Sequence, residues 1–134
     1  MKISLTLAIL FAASVAACSS SSKPEASDVE PLLKSSWADC PDLELVNLRK
    51  SNGIARDNGK YEMEITYQLR AKKDYSAGEA WYGQTPCKSQ RMYALLASNA
   101  KRDGSYGKDL KAGATINVKD VYLMVKSENG WIKQ

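Results

Sequence analysis

The chain has 134 residues, with 19 Lys and Arg against 15 Asp and Glu, three Cys and no His. A formal charge of +4 spread along the whole length is too small and too diffuse for a nucleic-acid surface, which needs a concentrated basic patch. The lack of His removes the commonest metal ligand and the commonest general base, so no metal, cofactor or catalytic residue is expected.

Residues 1–17 have the character of a signal peptide. Lys2 supplies a positive end, Ile3 to Ala17 are uncharged and largely apolar, and small residues crowd the stretch before Cys18. This segment is too short for a comfortable membrane span. The junction Val15-Ala16-Ala17-Cys18 resembles the lipobox of bacterial lipoproteins, where a diacylglyceryl group joins the Cys thiol and cleavage falls just before it. The resemblance covers these N-terminal residues alone. It implies that Cys18 becomes the acylated first residue of the mature chain, carrying diacylglycerol and palmitate. At about 0.8 kcal/mol per buried methylene, two or three acyl chains hold a protein permanently on a membrane. In Gram-negative lipoproteins an Asp after the Cys marks retention in the inner membrane. Ser19 stands there, so the resemblance implies the outer membrane, with the protein facing the periplasm.

Removing Lys2 with the signal peptide lowers the formal charge from +4 to +3. Residues 18–26 form the lipidated Cys and a polar linker, flexible by composition, with a reach of about 15 Å. A single globular domain is expected over 27–134. With Cys18 assigned to the lipid, Cys40 and Cys87 remain as an even pair in an oxidising compartment. Joined, they would close a loop of nearly fifty residues and stabilise the fold by about 4 kcal/mol in the chain-entropy model. Two free thiols for redox or metal chemistry are the alternative, against which stand the missing CxxC spacing and the missing His.

A helix is expected to open the domain. Ser27 and Glu30 fit an S-x-x-E capping box, Pro31 falls in the first turn, and Val29, Leu32, Leu33 and Trp37 recur at helical spacing. After Cys40-Pro41, Leu43 to Arg49 is expected as a strand. Asn58-Gly59 is expected as a hairpin turn with Asp57 and Lys60 paired across it, and Asn52-Gly53 as a bulge or bend. Tyr61 to Lys72 alternates apolar and polar without a break, which predicts a strand of roughly 40 Å with one face on the core.

Between Lys73 and Lys88 the chain carries turn residues and the aromatics Tyr75, Trp81 and Tyr82. Such side chains either bind a partner or ligand from a loop or pack down over the end of the sheet, and both readings stay open. Ser89 to Arg102 is expected as a second helix, with a strand over Gln90 to Leu95 as the alternative. Thr115 to Lys126 is expected as the second long strand. Its apolar residues change parity at Lys119-Asp120, which suggests a bulge. Asn129-Gly130 should then turn the chain into a short last strand in which Trp131 closes the core.

The order of elements predicts an α+β domain, a curved antiparallel sheet with an N-terminal helix and a second helix packed on one face. In outline it is similar to the NTF2-like and cystatin-like rolls. Three functional classes follow. The first is a non-catalytic envelope lipoprotein that binds an envelope protein as an accessory or inhibitor. The second is a binding module for a small ligand, lipid or cell-wall fragment in the mouth of the sheet, lined by Tyr61, Tyr67 and Tyr122. The third is a periplasmic hydrolase using Glu62 with Glu64, roughly 7 Å apart on one strand face, or Asp39 with Asp42. The more economical reading of Glu62 and Glu64 is a solvated sheet face paired with Lys or Arg.

Overall fold

The structure, a computed structural model, describes residues 22–83 and 86–134. The signal peptide, Cys18 and the first residues of the linker lie outside the described residues. Among the described residues three α-helices, α1 (Glu30–Trp37), α2 (Ala77–Tyr82) and α3 (Gln90–Asp103), accompany four strands, β1 (Leu43–Ala55), β2 (Lys60–Ala71), β3 (Thr115–Ser127) and β4 (Gly130–Lys133). The strands form one curved, unclosed antiparallel sheet in the order β1-β2-β3-β4, so the fold is α+β as expected.

The alternation of β2 dictates the core. Tyr61, Met63, Ile65, Tyr67, Leu69 and Ala71 are all buried, while the residues between them face outward. Against this inner face lie Val29, Leu33 and Trp37. The N-terminal segment departs from expectation at three points. The reciprocal cap belongs to Glu25 and Asp28 rather than Ser27 and Glu30, with the Glu25 N–H donating to the Asp28 carboxylate over 2.7 Å in a 3₁₀ turn at Ala26–Asp28. Pro24 is fully buried and its carbonyl accepts from Lys50 Nζ at 2.8 Å, so ordered structure begins before Ser27. Leu32, expected on the buried face, is exposed.

β1 runs six residues past Arg49, through Asn52-Gly53. Register shifts between Val46 and Arg49 and between Lys50 and Asn52 take up the bends, the first at Asn47 with φ of 56°. Gly53 stays in the ladder because the Tyr61 ring occupies its side-chain position, where an added Cβ would lie 2.7 Å from the ring Cζ. The β1–β2 hairpin closes one residue wider than expected: Arg56 N–H donates to the Lys60 carbonyl at 2.9 Å around Asp57, Asn58 and Gly59.

In β3 the expected bulge at Lys119-Asp120 is absent. Register with β2 is one-for-one from Arg70 opposite Thr115 to Lys60 opposite Val125. The apolar parity changes while the faces do not. Asp120 points inward and accepts from the Tyr67 hydroxyl at 2.9 Å, and Val121 and Leu123 point outward and remain exposed. The inner hydroxyl makes an apolar side chain unnecessary at position 120.

The expected second helix forms as α3, Gln90–Asp103, capped by the Ser89 hydroxyl accepting from the Met92 N–H at 3.3 Å. Its C-terminal end guards the free edge of β3: Asp103 accepts from the Asn117 N–H at 2.8 Å, and Arg102 Nη1 donates to the Lys119 carbonyl at 3.4 Å. Cys40 and Cys87 are joined in a disulfide that ties the end of α1 to the approach of α3. β4 follows the Ser127–Gly130 turn, and Trp131 packs half-buried on Tyr61 with ring centroids 6.0 Å apart.

Candidate functional site

The aromatic trio expected at a loop is divided by the structure. A helix, α2, forms where only a loop was expected, because Ser76 caps it with the Ser-x-x-Glu pattern: its hydroxyl accepts from Glu79 N–H, and Glu79 accepts from Ser76 N–H at 2.8 Å. That helix turns Trp81 into the core at 2 % exposure, with Nε1 donating to the Lys108 carbonyl at 2.7 Å. Tyr75 is also buried, held by a two-way bridge to Leu110 and by its hydroxyl on Asp42. Only Tyr82 is presented to solvent, at 75 % exposure, edge-on to Tyr106 with centroids 6.3 Å apart.

The mouth of the sheet is filled by the chain itself. Tyr61 lies under Trp131. Tyr67 accepts from Trp37 Nε1 at 3.0 Å and donates to Asp120, and burial pushes its hydroxyl far up from the ordinary tyrosine value. Tyr122 is half-buried beneath Lys133 and is pushed up to about 12 by burial and by the charge of Asp120. The carboxylates considered for acid–base work are each engaged elsewhere. Glu62 pairs with Arg56 at 2.6 Å and Glu64 with Lys119 at 2.7 Å, the latter held below its ordinary value by Lys119 and Ser51. Asp39 accepts from the Ser89 N–H at 2.7 Å. Asp42 is lowered by Tyr75 and Lys73. Among the described residues no group of three or more His, Cys, Asp or Glu is placed to hold a metal ion, and no helix is long and apolar enough to cross a membrane.

Two features of the outer sheet face went unnoticed in the sequence. The first is a groove of about 690 Å³ across β1, β2 and β3, walled by Arg102 and Asp103 at the end of α3. Its floor is a relay of amides: Asn47 Nδ2 donates to Gln68 Oε1 at 2.7 Å, Gln68 Nε2 to Asn117 Oδ1 at 3.0 Å, and Asn117 Nδ2 to Asp103 Oδ2 at 3.3 Å. Burial pushes Asp103 up, but hydrogen bonds from Ser105 and Asn117 outweigh it and hold the carboxyl below its ordinary value. Arg49 reaches the same floor, donating through Nε to Thr66 Oγ1 at 3.1 Å. The outward parity of Thr66, Gln68, Asn117 and Lys119 could have signalled this face, whereas the arrival of α3 could not.

The second feature is an apolar strip beside the groove. Val121, Leu123 and Val125 alternate along the outer face of β3, and Ile132 of β4 stands opposite Val125. Val121 is 57 %, Leu123 37 % and Ile132 51 % exposed. Lys60 lies opposite Val125, Glu62 opposite Leu123 and Glu64 opposite Val121, so the strip is edged by both signs of charge. Compared with protein-family models, with curated proteins and with solved structures, the chain matches none of them.

Proposed function

We propose that this chain is a non-catalytic lipoprotein of the bacterial cell envelope, anchored through acylated Cys18 in the outer membrane and facing the periplasm, where it binds a protein as an accessory or inhibitor. The observation that carries the protein-binding reading is the strip of Val121, Leu123 and Ile132. A contiguous apolar surface on an otherwise polar sheet face is the kind of patch that a partner covers. Its edging by Lys60, Glu62 and Glu64 fits a protein with an apolar patch rimmed by both signs better than a uniformly anionic lipid surface. The anchor rests on Lys2, the apolar stretch and the Ala16-Ala17-Cys18 junction.

Photo-crosslinking in intact cells tests the partner. A photoreactive residue at Val121 or Ile132 should give one discrete adduct, and the same residue at Leu32, exposed on α1, should give none. Bait alone from Val121, or equal adducts from all three positions, would remove the protein-binding reading. Fractionation tests the anchor separately: Cys18→Ala should leave the membrane pellet and lose palmitate labelling, and its retention there would remove the lipoprotein reading.

A further inference from the structure

We infer that the outer-face groove is a binding site for an acidic saccharide. Three observations lead there. The first is the state of the arginines on that face. Arg56 and Arg70 are each clamped by a glutamate, at 2.6 Å to Glu62 and 2.7 Å to Glu44. Arg49 has no carboxylate within ion-pair distance among the described residues, and neither has Arg102 across the groove. With Arg49 committed only through Nε and Arg102 only through a long bond to a carbonyl, both guanidinium groups keep donors for a carboxylate.

The second observation is the floor. In the relay Asn47 uses the nitrogen of its amide, and Gln68 and Asn117 use both nitrogen and oxygen, which fixes their orientation; each NH2 keeps a second N–H and each oxygen a further lone pair. A row of oriented groups that both donate and accept matches hydroxyls, which do the same. The third is the position of the floor on the sheet. β2 is hydrogen-bonded to β1 on one side and β3 on the other, so a peptide lying in the groove cannot add to it as a strand. Recognition there must go through side chains, as it does for a polyol. Arg102 at the wall and Arg49 over the floor, with amides between them and the Asp103 carboxylate taken up by Ser105 and Asn117, therefore select a sugar carrying carboxylates. Neither Cys18 nor the apolar strip enters this inference, and it can fail or hold without them.

Titration calorimetry on the full chain, purified with its native N-terminus in detergent micelles, tests it with tetragalacturonate as the probe. Maltotetraose serves as the neutral control and tetraglutamate as the acidic peptide. Tetragalacturonate should bind and maltotetraose should not. R49Q and R102Q should each weaken binding by about tenfold, the scale of one lost charge-assisted contact. R91Q, on α3 but outside the groove, should leave it unchanged. Both groove arginines are exposed, and unaltered thermal melts of the variants will show that the fold is kept. No binding of tetragalacturonate, equal binding by R49Q, or tetraglutamate binding as tightly would each overturn the inference.

Discussion

The two faces of β2 are made by the same twelve residues and are used in opposite ways. On the inner face polar atoms are paired within the chain as well: Trp37 Nε1 donates to the Tyr67 hydroxyl, which donates to Asp120. On the outer face the ladder of Glu44 with Arg70, Glu62 with Arg56 and Glu64 with Lys119 pairs six charges, yet among the described residues Arg49 has no carboxylate within ion-pair distance and Val121 is exposed. The inner face is where stability resides, since exposed ion pairs are worth about 0–1 kcal/mol each. The outer face is where groups remain available to something else.

The contrast can be broken most severely from the closed side. Trp81→Ala should cost roughly 3–5 kcal/mol, because it empties a core site and leaves the Lys108 carbonyl without its donor. Thermal or denaturant melts will read this directly, and a loss below about 1 kcal/mol would mean that Trp81 is not structural. Opening the disulfide, by Cys40→Ser with Cys87→Ser, should cost about 4 kcal/mol in the chain-entropy model. For a domain of this size that lowers the melting temperature by roughly 20 °C, and an unchanged melt would show that the covalent link adds nothing.

Smaller and more informative is Tyr67→Phe. It removes the shared hydroxyl and leaves Trp37 Nε1 and Asp120 unpaired, for about 1–3 kcal/mol. Its pH signature is on the alkaline side. Tyr67 and Tyr122 ionise later in the folded chain than their ordinary value of 10.0, so the folded state resists losing these protons. The stability they contribute is complete below pH 10 and is lost as the pH rises towards the Tyr122 value of about 12. Alkaline unfolding of the native chain should be steep in that window and shallower in Tyr67→Phe; identical curves would detach the tyrosines from it. At the small end, Tyr82→Ala should move stability by no more than about 0.5 kcal/mol, because its ring is mostly in water.

Local pattern made some of this legible and distance hid the rest. The alternation from Tyr61 to Ala71 foretold a strand and its buried face, since period 2 is a property of neighbouring residues. The helix-forming residues between Ser89 and Arg102 likewise foretold α3. Val121 and Leu123 misled for the same reason. An apolar residue carries no mark of whether it faces a core or a partner, and their change of parity resembled a bulge. Asp120 could not be placed inward without knowing that Tyr67 waits for it, 53 residues earlier. Asn52-Gly53 has turn composition, but Tyr61 needs a residue without a side chain there. The groove was hidden because Arg102 and Asp103 meet Asn117 and Lys119 only after α3 has packed along the sheet. Tyr75, Trp81 and Tyr82 looked alike until the cap at Ser76 wound α2 and sent Trp81 inward and Tyr82 outward.

The disulfide also has a mechanical meaning. A load applied to the N-terminal end of the chain would first peel Pro24 from Lys50 and then draw α1 off the inner face of the sheet. At Cys40 the unravelling meets a covalent stop, and the force passes across to Cys87 instead of into β1. The 46 residues between the two sulfur-bearing positions, which include all of β1 and β2, lie inside a closed loop that tension cannot straighten. Under strain the molecule therefore has a fixed extensibility, set by the segment before Cys40 and the segment after Cys87. The β1–β2 ladder, and with it the Asn47–Gln68 part of the groove floor, is shielded from the pull.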